Sequence, residues 1–501
     1  MQHCSLQNTQ RAPDWRDLRC RVTLVFAISR VKGNLCFNAS FTTNTVNHLR
    51  LQAVRNESIG KKATVRLPCC STPASDWPSF CGRMLDMSEL DSSLLKITLT
   101  DKPKPRPEER LEAFKNGVCF SDHMLEVEWE RGTGWCAPRI VPYHPLALDP
   151  SASVLHYALE CFEGFKAYRG VDGKIRLFRS EMNMARFNTS AARMTLPTCN
   201  EDELLKLIGE LIRVDRDWVP RAYGWSLYVR PVMIATEAHI GLLAPGRALL
   251  YVILSPMAPW GKCLKLYADE IRVRAFPGGT GAYKVGGNYA ASILPQKEAV
   301  EKGFTSVLWL YGEDRVVQEG GGMNQFFLWM DDNGERELVT APLDGMVLPG
   351  ITRDSVLQIA RRWGECRVSE RQYTMSEVMR RLQANQMLEA FGTGTAVAIL
   401  AVQSLGYEGK VHEIPNRNSN DPSTALGNFA HRIFRELQQI QFGQTDAYGS
   451  WTRVVWEPQP PLHIMEGGMK ALHEGVTGAL HQAVEGVAQA LGSVRTEESR
   501  A

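Results

Sequence analysis

The sequence predicts an α+β protein with two successive groups of strands and helices. Three observations carry this. Asp172-Gly173 lies between the strand-like Ala167–Tyr168 and Lys174–Phe178, and Asn333-Gly334 lies between Gln325–Met330 and Glu337–Thr340, so each half holds a hairpin signal. Helical patterns stand among the strands without strict strand–helix–strand alternation, which favours α+β over a doubly wound sheet. The run Ser255-Pro-Met-Ala-Pro-Trp-Gly261 breaks the periodicity midway and sets a boundary between a smaller domain, 84–257, and a larger one, 258–443.

Residues 1–83 stand apart. They are rich in Arg, Ser, Thr and Asn, and Asp14, Asp17 and Glu57 are the only acids before Asp76. Such composition resembles a mitochondrial transit peptide. A disordered extension, or upstream sequence read from an early start before Met84 and Met87, are the competing readings. Val22–Ile28 is too poor an apolar segment for a secretory signal, so the location expected is mitochondrial or cytoplasmic. Thr100–Glu109 is an extended Pro- and charge-rich linker.

From His123 to Trp129 apolar and polar residues alternate, as in a half-buried strand. Leu204, Leu207, Ile208, Leu211 and Ile212 fall at helical spacing behind the acids Glu201, Asp202 and Glu203. Ser226–Met233 and Ala248–Ser255 read as strands, and in the second domain Ser306–Tyr311 reads as a buried one. Val356, Ile359, Ala360 and Trp363 mark a helix just after Pro349-Gly350-Ile351-Thr352. Ala390–Ala396 reads as a glycine/threonine loop and Ala425–Ile440 as a helix. The tail, 444–501, carries a weak amphipathic pattern at Leu472, Val476, Leu480, Val484, Val487 and Leu491, interrupted by Gly475, Gly478 and Gly486.

Of the 501 residues, 44% are hydrophobic and 22% charged, as in globular proteins. A net charge of +2 gives no electrostatic basis for nucleic-acid binding. No apolar run approaches the roughly 18–20 residues that span a bilayer. Six of the 12 cysteines precede residue 84 and the rest are scattered singly. With no CxxC pair and no Cys/His cluster of zinc spacing, reduced thiols and no metal site are expected.

The chemistry centres on Phe276–Tyr289, where Lys284 sits between two glycine-rich segments with Tyr289 close behind. A desolvated lysine, or one beside other cations, becomes a nucleophile toward carbonyl compounds. Pyridoxal phosphate is the cofactor most often tied down in this way. Its phosphate needs amides at a helix start, hydroxyls and a guanidinium. Gly350-Ile351-Thr352 and Gly392-Thr393-Gly394-Thr395 are the two suitable segments. Its ring nitrogen needs a facing carboxylate, for which Glu319, before Gly320-Gly321-Gly322, is the candidate. Taken singly, each feature reads first as an ordinary loop, turn, cap or solvated acid.

Seven stretches, in order, resemble the branched-chain-amino-acid aminotransferases, pyridoxal-phosphate enzymes of fold type IV. They are Tyr157–Gly164, Phe178–Arg186, Leu227–Pro231, Gly279–Tyr289, Gln318–Phe326, Leu348–Arg353 and Phe391–Ala396, within a likeness running from Ser88 to Gly443. The resemblance implies two α+β domains with the cofactor between them, in a homodimer. It makes Lys284 the cofactor-binding lysine that also moves the proton. Glu319 becomes the partner of the ring nitrogen and Tyr289 that of the ring oxygen. Arg186, Ile351, Thr352 and Thr395 become phosphate ligands, and the Ala396 amide a donor to the substrate carboxylate. Phe120, Tyr157, Phe162 and Tyr228 become the aromatic wall around an aliphatic side chain. The implied reaction is reversible transamination of leucine, isoleucine and valine with 2-oxoglutarate, giving branched 2-oxo acids and glutamate. A fold-type-IV sibling acting on D-amino acids or aminodeoxychorismate, an enzyme for an unusual 2-oxo acid, and a catalytically silent scaffold are the rival readings.

The sequence also departs from the family. Gly322 stands where the family carries a hydroxyl side chain, which removes a donor to the substrate carboxylate. Val397-Ala398-Ile399-Leu400 replaces the mammalian CxxC, and Ala258-Pro259-Trp260 differs from the usual interdomain loop.

Overall fold

In the computed structural model the chain is described over residues 88–106, 114, 117–259, 263–416 and 425–458, with two strands in the N-terminal stretch. Those strands, Val25–Val31 and Asn34–Ser40, pair antiparallel within a separate unit, Met1–Gly82. The linker beyond residue 106, most of the proposed targeting stretch and the amphipathic pattern Leu472–Leu491 lie outside the described residues.

The apolar runs of residues 88–458 become strands of two sheets. The first has ten strands. Its path runs Thr452–Trp456, Ile175–Phe178, Phe165–Arg169, Ser226–Ala235, Arg247–Met257, His123–Glu130, Arg139–Pro142 and Lys96–Ile97, antiparallel except for the last pairing. Ser226–Ala235 and Arg247–Met257 pair along their whole length, from Ser226↔Met257 to Ala235↔Ala248. Ser180–Arg193 and Glu201–Val214 are helices whose buried residues share this sheet's core. Asn200 caps the second by accepting from the amides of Asp202 and Glu203, and acids in its first turn suit the helix dipole. All five of its expected core residues are buried.

The second sheet has nine strands and closes on itself. Val316–Gly320, Ser306–Tyr311, Leu264–Asp269, Ala398–Tyr407, Met387–Gly394 and Met323–Met330 form a ring, because Val316–Gly320 also pairs with Met323–Met330 through Glu319↔Asn324 and Gly320↔Met323. Arg336–Thr340 and Arg367–Glu370 extend it, and Lys410–Glu413 pairs with Ala398–Tyr407. Met323–Met330 is buried on both faces. Phe326 and Leu328 pack with helices Ile351–Trp363 and Asn428–Gln441, while Phe327 and Trp329 pack with Tyr373, Met375 and Val378. That is why Phe326–Met330 reads as a continuous apolar run.

Two expectations change, and one helix was not expected. The tail does not begin at 444: Thr452–Trp456 returns to the first sheet beside Ile175–Phe178, and Trp451 packs edge-on to Phe178 at 5.9 Å. A five-residue strand leaves too short a period to stand out. Gly392, Thr393 and Gly394 form the end of a strand rather than a loop, paired through Thr393↔Ile399 and Asn324↔Thr393. Helix Ser180–Arg193 carries no clean apolar stripe in sequence because Ser, Asn and Ala fill much of its buried face.

Candidate active site

Lys284 is held by its backbone before its side chain does anything. Its N–H donates to Ser190 Oγ at 2.9 Å, and its carbonyl accepts from the Phe162 N–H at 3.0 Å. Helix Ser180–Arg193 and strand Glu160–Phe162 thus fix the glycine-flanked segment. Gly286 leaves room for the Glu160 carboxylate, which a β-carbon there would displace.

Lys284 Nζ donates to Tyr289 Oη at 3.1 Å and lies 4.7 Å from the Phe162 ring centre. The Phe162 and Tyr289 rings are 5.1 Å apart. Burial, and then the Arg186 guanidinium, hold the lysine below its ordinary value, while burial pushes the Tyr289 hydroxyl up to about 12. Only an unprotonated amine attacks an aldehyde. Covalent loading of the cofactor-free protein by pyridoxal phosphate is therefore expected to speed up with pH and level off below 10.5, the ordinary lysine value. Stopped-flow absorbance measures this; a rate still climbing through that value would contradict the lowered pKa.

A cavity of about 160 Å³ is lined by Lys284, Arg186, Tyr228 and Glu319 together with Gly350–Thr352 and Thr393–Val397. Glu319 is 2% exposed, and its Oε1 accepts from Asn324 Nδ2 at 3.0 Å. Arg274 Nη1 approaches Oε2 to 2.8 Å, yet no N–H is aligned on that oxygen. Burial raises the Glu319 carboxyl above its usual range against the pull of Arg274.

Arg186 is oriented by Glu163, which is fully buried. Its Nε and Nη2 donate to the two Glu163 oxygens at 2.6 and 2.9 Å, and its Nη1 donates to the Pro349 carbonyl at 2.9 Å. Asn183 Nδ2 adds a bond of 2.8 Å to the same carboxylate. Burial opposes the Glu163 charge, but Arg186 outweighs it and holds the carboxyl below its usual value. A planar guanidinium gripped on one edge presents its remaining N–H groups in a fixed direction.

Two backbone donor sets face the cavity. Helix Ile351–Trp363 begins at Gly350 with no side-chain cap, leaving its first amides without an intrahelical partner. A β-carbon at Gly350 would overlap Asn324 Oδ1. The turn 395–397 joins two strands, and none of its three amides donates to a protein acceptor among the described residues.

Pyridoxal phosphate fits this donor set. The helix start, the turn and Arg186 suit a dianionic phosphate. Glu319 Oε2, buried and without an aligned N–H donor, suits a protonated ring nitrogen. Lys284 and Tyr289 suit the aldehyde and its neighbouring oxygen. Among the described residues no group of His, Cys, Asp and Glu could hold a metal, and no helix is long and apolar enough to cross a membrane.

The fold thus brings Lys284, Glu319, Arg186, Tyr228, Gly322, Ile351, Thr352, Thr395 and Ala396 to one cavity, with Phe162 and Tyr289 against the lysine. Phe120 and Tyr157 do not line it. The Phe120 ring stacks on Tyr143 at 5.3 Å, and Tyr157, 36% exposed, donates its hydroxyl to the Ile240 carbonyl. Sequence reading missed Glu163, Ser190, Arg230 and Arg274. Glu163 lay inside a quoted motif, but its partner stands 23 residues later on an unrecognised helix.

The chain's likenesses agree with this geometry. Residues 160–405 match the model of the aminotransferase class IV family. The chain is 46% identical over 356 residues to the cytosolic branched-chain-amino-acid aminotransferase of Mus musculus, covering 70% of this chain and 89% of that protein. It is 45% identical over 382 residues to the cytosolic enzyme of that name from Saccharomyces cerevisiae, covering 74% and 99%. The solved branched-chain amino acid aminotransferase of Escherichia coli shares the fold, with a TM-score of 0.51 at 24% identity over 66% of this chain and 99% of that one. The T.th. branched-chain amino acid aminotransferase, solved with N-(5'-phosphopyridoxyl)-L-glutamate, gives 0.50 at 27% identity over 66% and 98%. The chain belongs to the branched-chain-amino-acid aminotransferases, enzymes of the class IV aminotransferase family.

Proposed function

We propose that the protein exchanges the amino group of leucine, isoleucine or valine with 2-oxoglutarate, using pyridoxal phosphate bound through Lys284. The cofactor, when bound, supplies an aldehyde and an electron sink for charge developing at the substrate α-carbon. The chain's own residues do the rest. Lys284, below its ordinary pKa and beside Tyr289 Oη, takes the α-proton as general base and returns it on the other side of the exchange. Glu319 holds a proton at the ring nitrogen. Arg186, the amides at Ile351 and Thr352, and Thr395 hold the phosphate, while the Ala396 amide takes the substrate carboxylate.

The observation that supports this best is one cavity containing both a buried-carboxylate pole at Glu319 and a pKa-lowered lysine at Lys284. The test is an absorbance spectrum of the loaded protein before and after leucine. The visible band of lysine-bound cofactor should collapse; a band unmoved by leucine, isoleucine and valine would remove this substrate class.

The two substrates differ in their side chains, one aliphatic and one a carboxylate. Phe162 and Tyr228 offer apolar faces, and Arg230 lies against both, 4.8 and 5.1 Å from the ring centres. Its Nη2 donates to Tyr228 Oη at 3.2 Å, and its Nε has no hydrogen-bond partner. We assign Arg230 to the second carboxylate of 2-oxoglutarate. Arg230→Met is expected to raise KM for 2-oxoglutarate about tenfold or more while changing KM for leucine much less. Equal changes in both would refute the assignment.

Leu155, Ile240, Leu242 and Leu243 are exposed beside Tyr157 and form an apolar rim that we take as the contact of a homodimer. Curated relatives carry both cytosolic and mitochondrial names, and the acid-poor residues 1–83 favour mitochondrial targeting of this chain.

A further inference from the structure

Lys166 is a lysine without an assigned task. It stands in strand Phe165–Arg169, directly across from Tyr228 in the antiparallel register, and is 9% exposed. Its Nζ makes one hydrogen bond, donating to the Ala396 carbonyl at 2.6 Å across 230 residues of chain. No carboxylate pairs with it among the described residues, and burial pulls its ammonium down to about 8. An ammonium buried against a single carbonyl is costly, so its contact calls for a functional reason.

The contact fixes the turn 395–397. This turn links Gly394 to its strand partner Ala398, which adopts φ +56, a left-handed conformation uncommon for alanine. In a planar trans peptide the C=O and N–H point opposite ways. With the Ala396 carbonyl drawn to Lys166, the N–H of Val397, the other end of the same peptide unit, points away from the lysine. Val397 lines the cavity, and its amide donates to no protein acceptor among the described residues. Across the ladder Asn324 pairs with Thr393, and a β-carbon at Gly394 would crowd Met323 Cγ at 3.2 Å, so Met323 lies over the start of the turn, and Gly322 lines the same cavity as Ala396 and Val397. Gly322 has no positive φ, and a β-carbon there would meet nothing within 4 Å. The glycine is thus demanded neither by backbone nor by packing; it leaves open space beside the turn.

We infer that Lys166 is a positioning residue that aims the Val397 amide at the substrate's α-carboxylate, so that Ala396 and Val397 together supply the two donors and the side chain absent at Gly322 is not needed. This rests on the transaminase reading above. The carboxylate is common to amino acid and 2-oxo acid, so the effect must appear equally with both.

The test uses the loaded full-length protein and measures kcat and KM for leucine and for 2-oxoglutarate. Lys166→Met, which keeps the apolar stem and removes the donor, should raise both KM values about tenfold with kcat changed less than about threefold. Lys166→Arg should hold KM. Adding Gly322→Thr to Lys166→Met should restore KM, because the new hydroxyl replaces the misaimed amide. Unchanged KM values, a change confined to one substrate, or no compensation by the threonine would overturn the inference. Two further measurements stand apart from turnover. Binding of 4-methylpentanoate to the same variants should weaken and recover in the same pattern, and equal affinities throughout would overturn the inference even in a protein inactive toward leucine. In the wild-type protein, 4-methylpentanoate should slow hydrogen exchange at both the Ala396 and Val397 amides; protection of Ala396 alone would overturn it whether or not the methionine variant folds.

Discussion

Lys284→Ala is expected to leave a folded protein whose transamination of leucine falls by at least about 10³-fold, with loss of the visible absorbance of lysine-bound cofactor. The size of the effect follows from two roles lost at once. The amine that binds the aldehyde is also the amine that donates to Tyr289 Oη and takes the α-proton. Arg186 and Arg230, the cations named near it, do not act as bases at neutral pH. Folding should survive. The segment is held through the Lys284 backbone by Ser190 and Phe162, contacts that alanine keeps. The side chain removed is a disfavoured cation, its pKa lowered chiefly by burial, so its loss relieves a charge cost below pH 10.5 rather than creating one. Steady-state kinetics and thermal melting of the same preparation check both halves. Substantial turnover by the variant would sink the mechanism, and a large drop in melting temperature would show that the side chain is structural.

Glu319→Gln is expected to slow proton removal by about 10²–10³-fold while the cofactor still binds. The amide keeps the volume and can accept from Asn324 Nδ2, but it lacks the negative charge that stabilises a proton on the ring nitrogen. Arg274 then faces a neutral group, and its own charge further disfavours that proton. Because Glu319 lies at the strand pair that closes the second sheet, Glu319↔Asn324, a smaller replacement would confound chemistry with packing, whereas glutamine does not. A primary isotope effect with α-deuterated leucine should grow in the variant as proton transfer becomes slower than product release. Rates near those of the parent would mean that another group serves the ring nitrogen.

The sequence alone determined the elements with strong period or punctuation. Helix Glu201–Val214 was legible because five apolar residues repeat at helical spacing behind three acids and all five are buried. The two hairpins were legible because Asp-Gly and Asn-Gly leave few alternatives. Lys284, Glu319 and the helix start at Gly350 were legible as chemistry, since a glycine-flanked lysine, a carboxylate before glycines and an uncapped helix start are local features. The family resemblance tied them together.

Tertiary structure decided everything that depends on two distant segments meeting. Helix Ser180–Arg193 buries Ser180, Asn183, Met184, Arg186, Phe187, Ser190 and Ala191, and the polar residues among them are explained by distant partners: Glu163 for Asn183 and Arg186, and the Lys284 N–H for Ser190. The strand Thr452–Trp456 is too short to be seen by period and exists because the edge Ile175–Phe178 offers it a partner. The glycine/threonine segment is ordered by cross-strand pairs and by a lysine 230 residues away, whereas its composition suggests a loop. Phe120 stacks on Tyr143 and Tyr157 donates to the Ile240 carbonyl, contacts with segments elsewhere in the chain that local composition does not announce. Local chemistry named the reacting groups; long-range pairing of buried charges and strand edges fixed which of them share one space.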